Sequence, residues 1–227
     1  MPLLDHSHRP LLLRWEYFVE SWATDLSFAL NALLPDGYFA EPNVQFAIPL
    51  DEAGSYEPGT FTALGGWTPT PPTHDLPIEA TESVAEVGVY RRTAGPELAG
   101  AIVLVCTGNK YTPGKRESLV TKCCAYLQAW VGLVLVDVVP HHLADLHAAL
   151  LNRLGTSVPA EPGLLTAAYR PVGQDGGATL EVWREPVAVG RALPTLPLWL
   201  RDGLCLPVEL EAAYTRTCVE QKVQPAA

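Results

Sequence analysis

Apolar residues near the N-terminus recur at the spacing of an α-helix. From residue 15 they fall every three or four positions, at Trp15, Phe18, Val19, Trp22, Leu26, Ala29, Leu30 and Leu33. Steps of this size place side chains on one face of a helix. The run Pro35-Asp36-Gly37 follows, and proline beside glycine favours a turn over further helix. The pattern therefore predicts an amphipathic N-terminal helix that ends before residue 35.

The next part of the chain predicts extended segments separated by a long loop. Tyr38–Leu50 is predicted to be extended, and Pro42 and Pro49 within it favour an edge strand or a bent strand. Residues 51–78 are rich in glycine, proline and threonine, which predicts a surface loop. From Val84 to Arg91 polar and apolar residues alternate, which indicates a half-exposed strand.

The centre of the sequence contains two strongly apolar runs joined by a helical segment. Leu98–Cys106 and Val131–Val139 are almost continuously apolar, as is typical of strands buried on both faces. Between them, Thr107–Gly114 is a predicted polar loop, and Pro113 suits the first turn of a helix. A further helix is predicted at Leu143–Leu154. Two buried strands joined by a helix form a β-α-β crossover, so part of the sheet should be parallel.

The C-terminal third predicts a hairpin, an extended proline-rich segment and a helix. Thr166–Arg170 and Leu180–Arg184 flank a glycine-rich turn and read as the two strands of a hairpin. Leu193–Leu198 contains two prolines and should be extended, and Pro207 is predicted to open the last helix. The sequence thus predicts a single α/β domain over residues 1–227 with a mixed sheet. Its core spans residues 14–154, and the C-terminal elements at 160–222 pack on it.

Composition agrees with a well-buried globular protein. Of 227 residues, 48% are hydrophobic and 18% are charged, which excludes a disordered chain. No apolar run is long enough to span a membrane, and the N-terminus lacks the pattern of a secretory signal, so no membrane partner and a cytoplasmic location are expected. The five cysteines contain no Cys-x-x-Cys pair and should be reduced thiols.

The charge distribution gives little support to nucleic-acid binding. The formal net charge is −10, and residues 1–100, with 14 acidic and 4 basic side chains, account for it. General affinity for nucleic acid depends on basic patches that release counterions from phosphate. The one basic concentration comprises Lys110, Lys115, Arg116 and Lys122. A nucleic-acid partner therefore has little support, and the sequence identifies no other partner.

The basic segment after the first buried strand is a candidate phosphate site. A strand, a loop with Gly108 and Gly114-Lys115-Arg116, and a helix share the layout of a phosphate-binding loop, with Lys115 and Arg116 as phosphate ligands. The glycine spacing is one residue too long, however, and Arg116 stands where a Ser or Thr would hold magnesium. The alternative is an ordinary solvated basic loop.

A second candidate is a polar stripe on the central helix. Lys115, Ser118, Lys122 and Tyr126 lie three or four residues apart and share one face. A lysine placed there could stabilise a phosphorane or position an attacking water if carboxylates and a metal lay nearby. Otherwise the stripe is a solvent face. Asp137, at the end of a buried strand, is an active-site or structural carboxylate whose burial requires a partner such as Lys122 or the Lys110 loop.

Several segments together resemble a bacterial protein family. They are Trp15-Glu16-x-Phe18, Leu34-Pro35-x-x-Tyr38, Asn109-Lys110, the helix with Lys122, Leu193-Pro194-Thr195-Leu196-Pro197-Leu198 and Pro207-Val208-Glu209-Leu210-Glu211-Ala212. This set resembles the domain-of-unknown-function 4058 family over nearly the whole chain. The central unit also resembles the PD-(D/E)XK nuclease fold, in its Uma-two branch of endonuclease-like proteins. The resemblance implies a mixed sheet with a β-α-β core of restriction-endonuclease-like type.

The resemblance also implies a set of site residues. An early acid would match Glu52, or Asp51 if the loop shifts by one residue, and these two would hold magnesium or manganese. The lysine has moved to the following helix, ahead of a tyrosine, as in Lys122-x-x-x-Tyr126. Glu52, Lys122, Tyr126 and Lys110 are therefore the candidate catalytic residues.

The chain departs from this family pattern at one position. Relatives carry a metal-binding glutamate on the central strand, followed by two apolar residues and Ser-Pro-x-Asn-Lys. This chain reads Val103-Leu104-Val105-Cys106-Thr107-Gly108-Asn109-Lys110, so Val103 replaces the glutamate. Hard cations need oxygen ligands, so the loss of a carboxylate weakens the site. Three hypotheses remain: a degenerate nuclease-like domain that serves as a binding or scaffold module, a metal-dependent endonuclease or phosphodiesterase using Glu52 and Lys122, and a phosphate-binding protein.

Overall fold

Six strands form one mixed sheet, and their order across the sheet follows their order along the chain. The computed structural model describes residues 1–5, 12–45, 84–139, 144–174 and 177–223. Its elements are α1 (Leu12–Asn31), β1 (Tyr38–Gln45), β2 (Val84–Arg92), β3 (Pro96–Leu104), α2 (Thr107–Tyr111), α3 (Pro113–Gln128), β4 (Gly132–Asp137), α4 (Leu146–Arg153), β5 (Leu165–Gln174), β6 (Gly177–Pro186), β7 (Thr195–Trp199), β8 (Cys205–Glu209) and α5 (Leu210–Glu220).

The mixed character of the sheet arises from one parallel pair. β3 and β4 are parallel and are joined by α2 and α3, which confirms the predicted crossover. Every other neighbouring pair in the sheet is antiparallel. β5 and β6 form the predicted hairpin, whereas β7 and β8 pair with each other in a separate two-stranded sheet. The predicted α/β class with a mixed sheet is confirmed at this level.

Helix α1 forms where the apolar spacing predicted it, and its apolar stripe faces the core. Phe18, Trp22 and Leu26 are almost fully buried. The end of the helix is fixed to β1 by Asn31, whose side-chain amide donates to the Ala40 carbonyl and accepts from the Ala40 N–H, each at 2.8 Å. The N-terminal helix and the first strand are therefore one packed unit.

Paired glycines allow β7 to approach the large sheet closely. Gly100 on β3 and Gly132 on β4 are direct neighbours across the parallel pair. A methyl group on Gly132 would lie 2.9 Å from the carbonyl carbon of Trp199, and one on Gly100 would lie 2.7 Å from the side chain of Leu200. The face of the sheet that carries these glycines therefore packs against β7. Because side chains alternate along a strand, Val103 lies on the opposite face, which carries α3.

Three local predictions were wrong. Strand β2 is not half-exposed, because residues 85–89 are buried on both faces of the sheet. The predicted polar loop is largely helical, since Thr107–Tyr111 forms α2. Pro207 does not open a helix but lies in β8 opposite Pro197, and α5 begins at Leu210. A two-stranded sheet tolerates these prolines because each of its strands has an unpaired edge to which a missing N–H can point.

The described residues provide no helix that combines the length and apolarity needed to cross a membrane. All five cysteines are free thiols, as predicted. Four of them are buried and only Cys205 is exposed.

Candidate functional site

A row of directly opposed residues crosses the first three strands of the sheet. Asn43 on β1 is the neighbour of Glu86 on β2, and Glu86 is the neighbour of Val103 on β3. Residues opposite each other in an antiparallel pair share a face and have Cβ atoms about 5 Å apart. The carboxylate of Glu86 therefore lies between the amide of Asn43 and the apolar side chain of Val103, the residue that stands where the resemblance implies a metal-binding glutamate.

Helix α3 supplies a lysine and a tyrosine to the same carboxylate. Lys122 and Tyr126 are four residues apart, so they share one face of the helix. The Lys122 ammonium lies 2.8 Å from Glu86 Oε2, and the Tyr126 hydroxyl donates to the same oxygen at 3.0 Å. The Asn43 amide donates to Oε1 at 2.7 Å. We call Asn43, Glu86, Lys122 and Tyr126 the Glu86 cluster.

Burial differs sharply between the two charged members of this cluster. The side chain of Glu86 is 8% exposed and that of Lys122 is 32% exposed, so the carboxylate is inside and the ammonium lies at the rim. The Lys122 ammonium also lies 5.8 Å from the centre of the Tyr126 ring, within the range of a cation–π contact. A buried carboxylate requires such compensation, because an unpaired charge in the interior is costly. The cluster therefore satisfies Glu86 and leaves part of Lys122 open to solvent.

The Glu86 charge affects two neighbouring tyrosines. Burial is the main cause that raises the pKa of Tyr126 well above its ordinary value, and the charge and hydrogen bond of Glu86 raise it further. Burial also raises the pKa of Tyr90, with smaller contributions from Glu86 and Glu41. The Tyr90 ring lies over Gly88, where a Cβ atom would be 2.6 Å from the ring. At neutral pH both phenols are therefore protonated, and the Tyr126 hydroxyl is a hydrogen-bond donor.

Lys110 belongs to a separate buried ion pair. Its ammonium donates to both carboxylate oxygens of Asp137 at 2.9 Å, and neither side chain is exposed. Burial raises the pKa of Asp137 to about 6, although the Lys110 charge and hydrogen bonds act in the opposite direction. Asp137 thus has the partner that its burial requires, and that partner is Lys110 rather than Lys122.

The segment around Lys110 is helical because its polar groups find partners within the fold. The Asn109 side chain accepts from the Cys106 N–H at 2.8 Å, at the start of α2. The Arg116 guanidinium donates to the Lys110 carbonyl at 2.8 Å. The Lys115 N–H donates to the Thr112 hydroxyl at 3.2 Å, which caps α3. The segment therefore consists of α2 and the start of α3, which only Thr112 separates, and the Lys110 side chain is buried. It is not a solvated basic loop.

The structure brings together only some of the candidate residues. Lys122 and Tyr126 meet at Glu86, whereas Lys110 is bound to Asp137. Asp51 and Glu52 lie outside the described residues. Within the described ranges, no group of three or more His, Cys, Asp or Glu side chains is arranged to hold a metal ion.

The sequence analysis did not predict two members of the Glu86 cluster. Glu86 and Asn43 lie on strands, and the alternation along β2 suggested that Glu86 faced solvent. The four-residue spacing of Lys122 and Tyr126 could have predicted Glu86. Two hydrogen-bond donors on the sheet-facing side of a crossover helix need an acceptor, and a neighbouring strand is where that acceptor must lie. Glu86 is the acid that β2 offers on the helix-bearing face.

The charged members of the Glu86 cluster already neutralise each other. Glu86 provides one carboxylate, both of whose oxygens already accept hydrogen bonds. Lys122 provides a partly exposed cation beside a phenol donor. Comparison with known proteins gives no match, whether to a family model, to a curated protein or to a solved structure.

Proposed function

We propose that this chain is a degenerate domain of the PD-(D/E)XK nuclease-like type that is catalytically impaired and serves as a binding or scaffold module. One observation carries the proposal: Val103, an apolar residue, is the direct neighbour of Glu86 across β2 and β3. A parallel β3–β4 pair joined by a helix, flanked by antiparallel strands, supports the restriction-endonuclease-like part of the proposal. Fold resemblance does not confer chemistry, so the function is argued from the site.

The described residues offer a divalent cation too few oxygen ligands at this site. Magnesium and manganese are held by carboxylates and other oxygens, with near-octahedral geometry for magnesium. Glu86 is one such ligand, but its Oε2 atom is already paired with Lys122 at 2.8 Å. Val103 is 3% exposed and has no atom that can coordinate a metal. A cation would have to displace Lys122 and would gain, from the part of the chain that the structure describes, a single carboxylate.

The second candidate function is a metal-dependent endonuclease or phosphodiesterase that uses Glu52 and Lys122, with Asp51 as a further metal ligand. The convergence of Lys122 and Tyr126 on an acidic residue favours it, because acid, lysine and tyrosine are the groups that such chemistry needs. It requires Glu52 to complete a site with Glu86, and magnesium or manganese as cofactor.

The test is a nuclease assay with Mn²⁺ on four proteins: wild type, Val103→Glu, Val103→Gln and Lys122→Ala. The glutamate restores a second carboxylate beside Glu86, and the glutamine is its matched uncharged control. We expect wild type to be inactive and only Val103→Glu to gain metal-dependent cleavage of DNA. Cleavage by wild type that disappears in Lys122→Ala would establish the second candidate and refute the proposal.

Metal binding provides a readout that does not depend on turnover. A ligand that binds only the folded state stabilises it by about 2.7 kcal/mol at a concentration one hundred times its Kd. We therefore expect Mn²⁺ to raise the melting temperature of Val103→Glu and to leave wild type and Val103→Gln unchanged. If Mn²⁺ stabilises none of the three, Val103 does not occupy a lost metal position, and the nuclease-like origin of the site is refuted.

A further inference from the structure

A buried histidine joins helix α4 to the large sheet. His147 lies in the first turn of α4, and only 7% of its surface is exposed. Its Nδ1 atom lies 2.7 Å from the hydroxyl of Tyr169, a residue of β5 that is 1% exposed. Within the described ranges His147 is the one histidine, and it belongs to neither the Glu86 cluster nor the Lys110–Asp137 pair.

The Tyr169 hydroxyl is the donor in this contact. Burial, the nearby thiol of Cys123 on α3 and the charge of Asp145 raise the pKa of Tyr169 well above its ordinary value, so the phenol keeps its proton at neutral pH. Among the residues that the structure describes, the hydroxyl has no second hydrogen-bond partner, so its proton is directed to Nδ1 of His147. An accepting Nδ1 requires a neutral ring whose own proton is on Nε2.

A second proton on His147 would disrupt this arrangement. With Nδ1 protonated, both ring nitrogens become donors, and the Tyr169 hydroxyl loses its acceptor inside the protein. A buried donor without an acceptor destabilises the folded state. The proton would also place a positive charge in the first turn of α4, where the free N–H groups already make the helix end positive. The folded protein therefore favours the neutral ring.

The charged groups that surround His147 oppose one another. Burial is the largest influence and lowers the pKa of His147 below its ordinary value, and Arg184 on β6 acts in the same direction. Asp145, which caps α4, and Glu161, in the segment between α4 and β5, act in the opposite direction. Both carboxylates already have partners. Asp145 accepts from the Ala148 and Glu161 N–H groups at 2.8 and 2.7 Å, and Glu161 pairs with Arg184 at 2.8 Å.

Helix α4 depends on contacts of this kind. It is eight residues long, and isolated helices of that length are marginal in water, so packing must hold it in place. Leu146 and Leu150 supply buried apolar contacts, and His147 supplies the hydrogen bond to β5. Loss of that hydrogen bond should therefore weaken the attachment of the whole first turn.

We propose that His147 is a pH-sensitive fastening, and that its protonation in mildly acidic solution detaches the first turn of α4 from β5. The proposal concerns conformational control and does not depend on the proposed function. Because the folded protein favours the neutral ring, the attachment is complete above the ordinary histidine value of 6.5 and weakens as the pH falls below it. Detachment uncovers Leu146, so acid exposes an apolar surface that is covered at neutral pH.

Hydrogen exchange of the full chain at about pH 7.5 and about pH 5, corrected for the intrinsic exchange rates, tests the proposal. We expect the protection of the α4 amides in wild type to fall about fivefold or more at the lower pH, because a buried group that loses its partner costs at least that factor. The amides of α1 serve as an internal reference for any general loosening of the fold.

His147→Asn is the matched variant. Its side-chain oxygen can accept from Tyr169 near the position of Nδ1 but cannot take up a proton, so the protection of its α4 amides should not change with pH. Constant protection in wild type, or a fall of the same size in wild type and His147→Asn, would overturn the proposal.

The ring nitrogens of His147 report the same event directly, even if His147→Asn does not fold. In protein with isotope-labelled histidine, assigned through the backbone, the nitrogen signals should show the neutral tautomer protonated at Nε2 and a pKa below 6.5. Tyr169→Phe removes the donor that stabilises the neutral ring, so the pKa of His147 should rise in that variant. A ring protonated at Nδ1 at neutral pH, or a pKa that Tyr169→Phe leaves unchanged, would refute the hydrogen bond on which the fastening depends.

Discussion

The contact between β7 and the large sheet predicts that Gly132→Ala is strongly destabilising. The new methyl group would lie 2.9 Å from the Trp199 carbonyl carbon and closer still to its oxygen, whereas ordinary contacts begin at 3.4 Å. The obstacle is backbone, so no side-chain rotation relieves it. Strand β7 must therefore move away from the large sheet, and its buried residues Leu196 and Leu198 move with it.

The magnitude follows from two opposing effects. Replacing glycine in a strand removes unfolded-state entropy and favours folding by about 0.5–1 kcal/mol. Overpacking a core costs about 1–3 kcal/mol, and the upper end applies where backbone must shift. The net loss should be about 2 kcal/mol. With a urea m-value of about 2 kcal/mol per molar, the unfolding midpoint should fall by about 1 M.

Alanine substitutions at two further glycines allow the changes in the free energy of unfolding to be ranked. Gly100→Ala meets only the side chain of Leu200, at 2.7 Å, and should cost less than Gly132→Ala because that side chain can rotate. Gly114→Ala on α3 meets nothing within 4 Å and should stabilise by about 0.5–1 kcal/mol through helix propensity. Urea unfolding followed by circular dichroism ranks the three. If Gly132→Ala is as stable as Gly114→Ala, β7 does not pack on β4 in this way.

The two charged pairs give the remaining predictions. Lys110→Met leaves Asp137 buried without its cation and should cost about 3–5 kcal/mol at pH 8 by urea unfolding. The pKa of Asp137 is raised to about 6 in the folded protein. Its contribution to the free energy of unfolding is therefore fully present below the unfolded pKa of 3.8 and is lost as the pH rises through 6. The Lys110 charge and hydrogen bonds lower the pKa of Asp137, so in Lys110→Met that pKa rises further and the variant loses more stability than wild type between pH 5 and pH 8. The deficit of Lys110→Met should therefore be smaller at pH 5, and a deficit that does not change with pH would contradict the buried pair. Glu86→Gln should lower the pKa of Tyr126 but leave it above 10, because burial, the largest cause, remains. The alkaline absorbance difference between Glu86→Gln and Glu86→Gln/Tyr126→Phe measures this, and an ionisation as late as in wild type would argue against the contact.

Local patterns were sufficient for most of the fold. The three- and four-residue steps from Trp15 and the apolar runs around Ile102 and Val134 depend on neighbours close in sequence, and α1, β3 and β4 formed as predicted. The parallel pairing of β3 with β4 followed from the helix between them. Pro207 could not be placed in the same way, because its fixed φ suits both the first turn of a helix and an edge strand.

The site depended on contacts between residues distant in sequence. Glu86 looks like an exposed strand residue until Lys122 and Tyr126, which lie 36 and 40 positions later, are brought over it by α3. The segment around Asn109 and Lys110 looks like a polar loop because its residue types are polar. Its helix follows from Lys110 being drawn inward by Asp137, a pairing that sequence spacing does not determine.

The two lysines differ in a way that limits what the protein can do. Lys110 is fully buried and both oxygens of Asp137 hold its ammonium, so it has no access to a substrate. Lys122 is 32% exposed, but it neutralises Glu86, so an anion must compete with Glu86 for the ammonium and a cation must compete with Lys122 for the carboxylate. A second carboxylate at position 103 would leave the cluster with one uncompensated negative charge, which a divalent cation could satisfy. Among the described residues, the metal site that we propose was lost therefore differs from the present cluster by one charge on β3, beside Glu86.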